Sequence, residues 1–311
     1  MTSKPLSGPG KEVGSTAAPA VEPTPTVQYM QVNGAQLAYV EQGSGEPVVL
    51  MHGGTGDYRA WDAHRPILAG AGYRAISYSL RYFGNEPWNE AWPTFCAELH
   101  ASDLAFLLQS LNAGPVHLAT WSYSGQVALS IALDHPELVR SLFVFEPPIS
   151  SFVTDPEIRK RIQDFGSAML TPAGDAIVRG DGVGATREFI NGVAGGGPDY
   201  FSLQPEERQR RQLDNSRVLP LMLGSQPPRQ ISCAKLAAIK PPAAIVQGGS
   251  TMPYFALIAE AAADCMPAAK HMIVPGAGHL WPGEEPAAFC ATRIAFLKSC
   301  PGGRPEVPRS A

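Results

Sequence analysis

The segment from Val116 to Asp134 allows the chain least freedom. Apolar residues run from Val116 into Thr120-Trp121-Ser122-Tyr123-Ser124-Gly125 as a buried strand, and a helix-compatible run, Gln126 to Leu133, leaves it. A backbone that passes from strand to helix in so few residues is crowded at the turn. Only small residues fit two positions before and two after its centre, here Thr120 and Ser124. The central residue, Ser122, is pushed above the end of a sheet with the first amides of the helix behind it. Those amides and the helix dipole favour negative charge, which suits a serine hydroxyl that must lose its proton. The segment therefore predicts a layered strand-and-helix fold with a candidate nucleophile at its edge.

Two further segments end apolar strands in glycine-rich loops. Pro47-Val48-Val49-Leu50-Met51 runs into His52-Gly53-Gly54-Thr55-Gly56. Such a loop exposes backbone N–H groups, and an acyl-transfer site needs amides aimed at a developing oxyanion. The N–H groups of Gly54 and of Tyr123, the residue after the serine, are the candidates. Met272-Ile273-Val274 runs into Pro275-Gly276-Ala277-Gly278-His279. Among the seven histidines only His279 has this setting. His64, His100 and His135 fall in helix-like stretches, His117 in the strand before Ser122, and His271 at the start of a strand. His52 belongs to the glycine loop and is read as orienting it. A general base must titrate near neutrality, and histidine does.

His52-Gly53-Gly54, Thr120-Trp121-Ser122-Tyr123-Ser124-Gly125 and Gly276-Ala277-Gly278-His279, in this order, resemble the α/β-hydrolase superfamily over roughly Val27 to Leu297. The turn around Ser122 is then the family's nucleophile elbow, with Thr and Ser in place of the usual flanking glycines. Ser79-Leu80-Arg81-Tyr82-Phe83-Gly84 is similar to the family's Asp-x-Arg-Gly-x-Gly segment, with Ser for the Asp and Tyr for the Gly. The resemblance implies a mostly parallel, doubly wound α/β sheet and a Ser-His-acid triad.

The triad acid departs from the common pattern. In most members it follows the next-to-last strand, here Pro242 to Gly249, but this chain continues Ser250-Thr251-Met252. No Asp or Glu occurs from Ala237 to Ala259, and threonine cannot hold an imidazolium by charge. The strand after the elbow helix, Leu142 to Phe145, ends instead in Glu146. A carboxylate at the end of an apolar strand is costly to bury without a partner, so Glu146 is the expected acid, orienting His279. This placement resembles fungal resorcylic-lactone hydrolases and haloalkane dehalogenases. The dehalogenases use an Asp nucleophile, which Ser122 excludes.

At 311 residues, 44% hydrophobic and with a net charge of −4, the chain fits one α/β domain with an insertion. It has no basic block and no long apolar run, so neither a nucleic-acid nor a membrane partner is expected. The five cysteines (Cys96, Cys233, Cys265, Cys290 and Cys300) are scattered, and the reading is of free thiols in the cytoplasm. Residues 1–26 read as a disordered leader, 27–147 and 241–300 as the hydrolase core, 148–240 as a helical cap and 301–311 as a tail.

A hairpin is expected across Asn33-Gly34, joining Val27–Val32 to Gln36–Glu41. Strands follow at Val48–Met51, Tyr73–Tyr78, Val116–Thr120, Ser141–Phe145, Ala243–Gln247 and Lys270–Val274. Helices are expected over Tyr58–Ala69, Thr94–Leu111, Ser124–Asp134, Pro253–Cys265 and Glu285–Lys298. In the cap they cover Asp155–Met169 and Gly174–Ile190, the latter broken at Gly180–Gly184, with Gly195-Gly196-Gly197-Pro198 as a flexible loop. Such a cap excludes water and shapes a pocket.

The expected activity is hydrolysis of a small or medium apolar ester or lactone by Ser122, His279 and Glu146, with the amides of Gly54 and Tyr123 receiving the oxyanion. Trp88, Trp92 and Trp121, near the motif loops, are candidate substrate contacts. The partner is a small-molecule substrate, a homodimer is left open, and neither metal nor organic cofactor is implied. The same triad also serves carbon–carbon bond hydrolases and cofactor-free lyases, and some members of the superfamily only bind ligands.

Overall fold

The computed structural model describes residues 25–197, 199–224 and 229–300. The expected leader, except Pro25 and Thr26, and the tail at 301–311 lie outside them. Eight strands form one sheet: β1 (Gln28–Val32), β2 (Ala35–Gln42), β3 (Glu46–Met51), β4 (Tyr73–Tyr78), β5 (Val116–Trp121), β6 (Val139–Phe145), β7 (Ala243–Gly248) and β8 (Lys270–Val274). Their order is β1-β2-β4-β3-β5-β6-β7-β8. The β1–β2 and β2–β4 pairs are antiparallel, and every other pair is parallel.

The helices in chain order are α1 (Arg65–Gly70), α2 (Ala97–Ser110), α3 (Ser124–Asp134), α4 (Pro156–Val178), α5 (Gly182–Val193), α6 (Tyr200–Leu203), α7 (Glu206–Asp214), α8 (Leu219–Gly224), α9 (Cys233–Ala237), α10 (Pro253–Cys265), α11 (Trp281–Glu284) and α12 (Pro286–Ser299). Apolar residues of α2, α3 and α10 cover one face of the sheet, and Leu68 of α1 with Phe289 and Phe296 of α12 cover the other. Burial on both faces is why the central strands read as unbroken apolar runs rather than alternating ones.

Helices α4 to α9 form the insertion between β6 and β7. Asp155 caps α4 by accepting from the N–H groups of Glu157 and Ile158 at 2.8 and 3.1 Å. Two cap helices were expected to meet between Met169 and Gly174, but α4 runs through Pro172 to Val178. The proline only deprives the carbonyl of Ala168 of its helical donor, and Ala168 is exposed to water. The break comes at Gly180, whose φ of +75° lets the N–H groups of Gly180 and Asp181 close back on Ile177 O and Ala176 O at 2.9 Å each. Apolar residues of α4, α5 and α8 cluster with Phe255, Leu280 and Trp121, so the insertion closes over the C-terminal edge of the sheet.

Two cysteines depart from the free-thiol expectation. Cys233 and Cys265 form a disulfide across 32 residues of sequence, with Cα atoms 5.0 Å apart, while Cys96, Cys290 and Cys300 are free. Spacing in the sequence could not show it, because the pair meets only when α9 returns against α10. The cysteines therefore give no ground for a reducing compartment. Among the described residues no helix is long and apolar enough to cross a membrane.

Candidate active site

Ser122 follows β5 with φ of +55°, and its N–H donates to Phe145 O at 2.9 Å. A left-handed conformation costs a non-glycine residue energy and marks a position held by its surroundings. The two small flanking residues do more than avoid a clash. The hydroxyl of Ser124 donates to Met51 O at 2.7 Å and accepts from the N–H of Trp121 at 3.2 Å, so it ties the end of β3 to the turn. Gly125 is obligatory by space: a Cβ there would lie 2.7 Å from Pro147 Cβ and 3.1 Å from Pro147 Cα.

His279 and Glu146 are brought together from loops after β8 and β6. His279 Nδ1–H donates to Glu146 Oε2 at 2.6 Å, with His279 4% and Glu146 0% exposed. Both oxygens of the buried carboxylate are engaged. Oε2 also accepts from the Thr251 hydroxyl at 2.9 Å, and Oε1 accepts from the N–H of Gly248 at 2.7 Å. Glu146 sits at φ of +47°, its own N–H donating to Val246 O at 3.0 Å, so the turn after β6 aims the side chain across the end of β7. With Nδ1 protonated, Nε2 of His279 presents a lone pair. The Phe255 ring stacks on the imidazole at 3.6 Å between centroids and 6° between planes, and Trp121 Nε1–H holds His279 O at 2.9 Å.

His52 behaves as the loop-orienting residue. The N–H of Leu80 donates to its Nε2 at 3.0 Å, which leaves Nδ1–H to donate to Gly53 O at 2.9 Å. Complete burial lowers its pKa to about 4, outweighing the opposing bond to Gly53 O, so the ring stays neutral. Among the described residues the N–H groups of Gly54 and Tyr123 donate to no hydrogen bond. A Cβ on Gly54 would lie 2.8 Å from Met222 Cε and 3.2 Å from Phe189 Cζ, so cap side chains rest directly on this loop.

Two chambers meet at Ser122, and Gly54 lines both. One, of about 180 Å³, also carries His279, Trp121, Arg208, Arg211 and Asp57. The other, of about 330 Å³, is walled by Tyr123, Met169, Phe189, Met222, Tyr254 and Phe255.

Trp88 and Trp92 were expected near substrate, and neither lines a chamber at Ser122. Both pack edge-on against Tyr82, at 5.3 and 5.2 Å between centroids, and Trp88 Nε1–H donates to Tyr82 O at 2.8 Å. Tyr82, at φ of +76°, occupies the position where the family has glycine, and its ring draws the two indoles to the segment after β4. Sequence reasoning missed Phe255, Met222, Phe189 and Arg208. They come from α10 and the insertion, where no motif marks them. Thr251 was seen only as the residue standing where the acid is absent.

The sequence pattern of the alpha/beta hydrolase family matches residues 48–292. The chain belongs to that family. A Mycobacterium tuberculosis protein named as a candidate non-heme bromoperoxidase, BpoC, is 27% identical over 279 residues, covering 85% of this chain and 98% of the relative. Among solved structures, a thermophilic esterase from Thermogutta terrifontis aligns with a TM-score of 0.68 at 23% identity, covering 88% of this chain and 99% of the other. The carboxylesterase CesB from Bacillus subtilis aligns with a TM-score of 0.69 at 20% identity, covering 89% and 93%. The enol-lactonase from Burkholderia xenovorans LB400 aligns with a TM-score of 0.65 at 17% identity, covering 87% and 100%. At these identities the structural likeness establishes the fold.

Proposed function

We propose that this alpha/beta hydrolase is a serine hydrolase of small or medium carboxylic esters or lactones. The observation that carries the reading is the 2.6 Å bond from His279 to the buried Glu146 carboxylate, with the ring on the same chamber wall as the left-handed Ser122. In this reading Ser122 Oγ attacks the substrate carbonyl as its proton passes to His279 Nε2. Glu146 holds the resulting imidazolium by charge and keeps Nδ1 protonated in the resting state. The N–H groups of Gly54 and Tyr123 receive the carbonyl oxygen as it becomes negative. His279 returns its proton to the leaving oxygen, the alcohol departs, and an ester of Ser122 remains. Water, deprotonated by His279, then attacks that ester, and the proton passes back to Ser122 as the acid is released. Met169, Met222 and Phe255 in the larger chamber offer apolar contacts to an acyl group.

The test is a panel of esters and lactones of graded size, with fluorophosphonate labelling of wild type and Ser122→Ala. Labelling of wild type alone, with turnover of part of the panel, supports the reading. A wild type inert to both the panel and the probe sinks it and favours a ligand-binding role. Labelling without turnover favours carbon–carbon cleavage.

A further inference from the structure

The two chambers differ in a way that specifies the two halves of the substrate. We infer that the leaving alcohol carries an anionic group, a carboxylate, and that Arg208 selects it, with the apolar acyl group in the larger chamber. This rests on the hydrolase reading above.

Proton transfer assigns the chambers. The leaving oxygen takes its proton from His279, so the leaving half lies on the side of the serine where His279 forms the wall. His279 lines the smaller chamber and is absent from the lining of the larger one. The larger chamber, lined by Tyr123, Met169, Met222 and Phe255, is left for the acyl half.

The charges on the two sides are opposite. In the smaller chamber Asp57 is already neutralised. Arg59 reaches its Oδ1 through Nε at 3.0 Å and its Oδ2 through Nη2 at 2.7 Å, and Asn215 donates to Oδ2 at 2.8 Å. Burial alone would raise the Asp57 pKa, but these partners outweigh it and hold the carboxyl ionised. His64 is buried and lowered to about 4, hence neutral. Arg211 is partly committed, donating to Arg59 O at 2.7 Å with Asp62 at 3.9 Å.

Arg208 is different. It donates to Gly283 O and forms no ion pair among the described residues. The neighbouring carboxylate of Glu284 accepts instead from the Tyr200 hydroxyl. A Cβ built on Gly283 would lie 3.6 Å from Arg208 Cζ and 3.2 Å from Trp121 Cη2, so the guanidinium and the outer edge of the indole flank the same backbone position, and the backbone of that indole adjoins Ser122. Its remaining N–H groups can take a carboxylate in the chamber that Arg208, Trp121 and Ser122 line together. The only carboxylate on the larger chamber's wall among the described residues is Glu98, which disfavours an anion there.

The probes are para-carboxyphenyl butyrate against the isosteric para-carbamoylphenyl butyrate, and the corresponding meta pair, each kcat/KM divided by the ester's alkaline hydrolysis rate. Wild type should favour the carboxylate by about 10-fold or more in at least one pair, the scale of one charge-assisted hydrogen bond. Added salt should shrink the preference. Arg208→Gln should bring the ratio close to one, and Arg208→Lys should keep part of it, with circular dichroism confirming both folds. A wild-type ratio at or below one in both pairs, with Ser122 still labelled by fluorophosphonate, overturns the inference and leaves the serine hydrolase standing. So does a ratio that Arg208→Gln does not move. Absence of both turnover and labelling overturns inference and hydrolase reading together.

Discussion

Glu146→Gln is the sharpest single perturbation, because one carboxylate, itself 0% exposed, serves three donors. Gly248 N–H reaches Oε1 at 2.7 Å, and His279 Nδ1–H and the Thr251 hydroxyl reach Oε2 at 2.6 and 2.9 Å. A glutamine amide has one oxygen and must choose. With its oxygen kept on Gly248, the NH₂ faces Nδ1 and forces the imidazole proton onto Nε2, the tautomer that cannot accept from Ser122. With the amide turned over, its oxygen serves His279 and Thr251, but the NH₂ opposes the N–H of Gly248 inside a fully buried pocket. Either arrangement removes the charge that stabilises the imidazolium. Losing or weakening two charge-assisted bonds at about 1.5–3 kcal/mol each corresponds to roughly 3–6 kcal/mol. At about 1.4 kcal/mol per decade, that is roughly a 10²–10⁴-fold fall in kcat, and the loss known for a triad acid, about 10⁴-fold, lies at its upper end. The assay is steady-state hydrolysis of a reactive aryl ester, with the melting temperature measured in parallel. Turnover within tenfold of wild type by a folded Glu146→Gln protein would refute the role of Glu146. Thr251→Ala is the internal control. It removes one donor and no charge, so it should cost less than about tenfold.

Ser122→Ala should lower turnover by about 10⁴–10⁶-fold while the fold survives, and residual activity within tenfold of wild type would remove Ser122 as nucleophile. Gly125→Ala should destabilise by about 1–3 kcal/mol, since the new Cβ meets Pro147 backbone at 3.1 Å; calorimetry showing an unchanged melting temperature would contradict the packing. Thiol titration of denatured, unreduced protein should count three reactive cysteines, rising to five after reduction; five at the outset would exclude the Cys233–Cys265 bond. Burial lowers His52 and His64 from 6.5 to about 4, and His100 and His117 to about 3. The unfolded chain therefore binds more protons below pH 6.5. Stability should be full above that pH and fall progressively as pH drops toward 4, and a melting temperature flat across this window would refute the neutral burial.

Much of this molecule was readable in one dimension. Strands β4 and β8 and helices α3 and α10 have the bounds the residues announce, because short runs carrying Tyr, Ile or Val and helix-length runs led by proline or a small residue are local signals. Ser122, His279 and Glu146 stand out for a similar reason: each lies in the turn or loop that follows a strand, and loops after the ends of parallel strands gather at one edge of a sheet. Even the departure at the acid was visible as a missing charge after β7.

What tertiary structure alone decided concerns residues whose partners lie far away in sequence. Thr251 bonds to Glu146 across 105 residues. Phe255 stacks on His279 only because α10 docks beneath the loop after β8. Trp88 and Trp92 look like pocket residues in sequence, yet they pack on Tyr82, since loop proximity in the chain does not fix which way an indole faces. The cap helices α5, α7 and α8 bring Phe189, Arg208 and Met222 over the serine with no motif to mark them. The proposed catalytic groups obey local backbone rules that a sequence records. Pocket walls and the Cys233–Cys265 bond depend on how separate elements pack, and packing is set by the whole surface of each element rather than by any short run of residues.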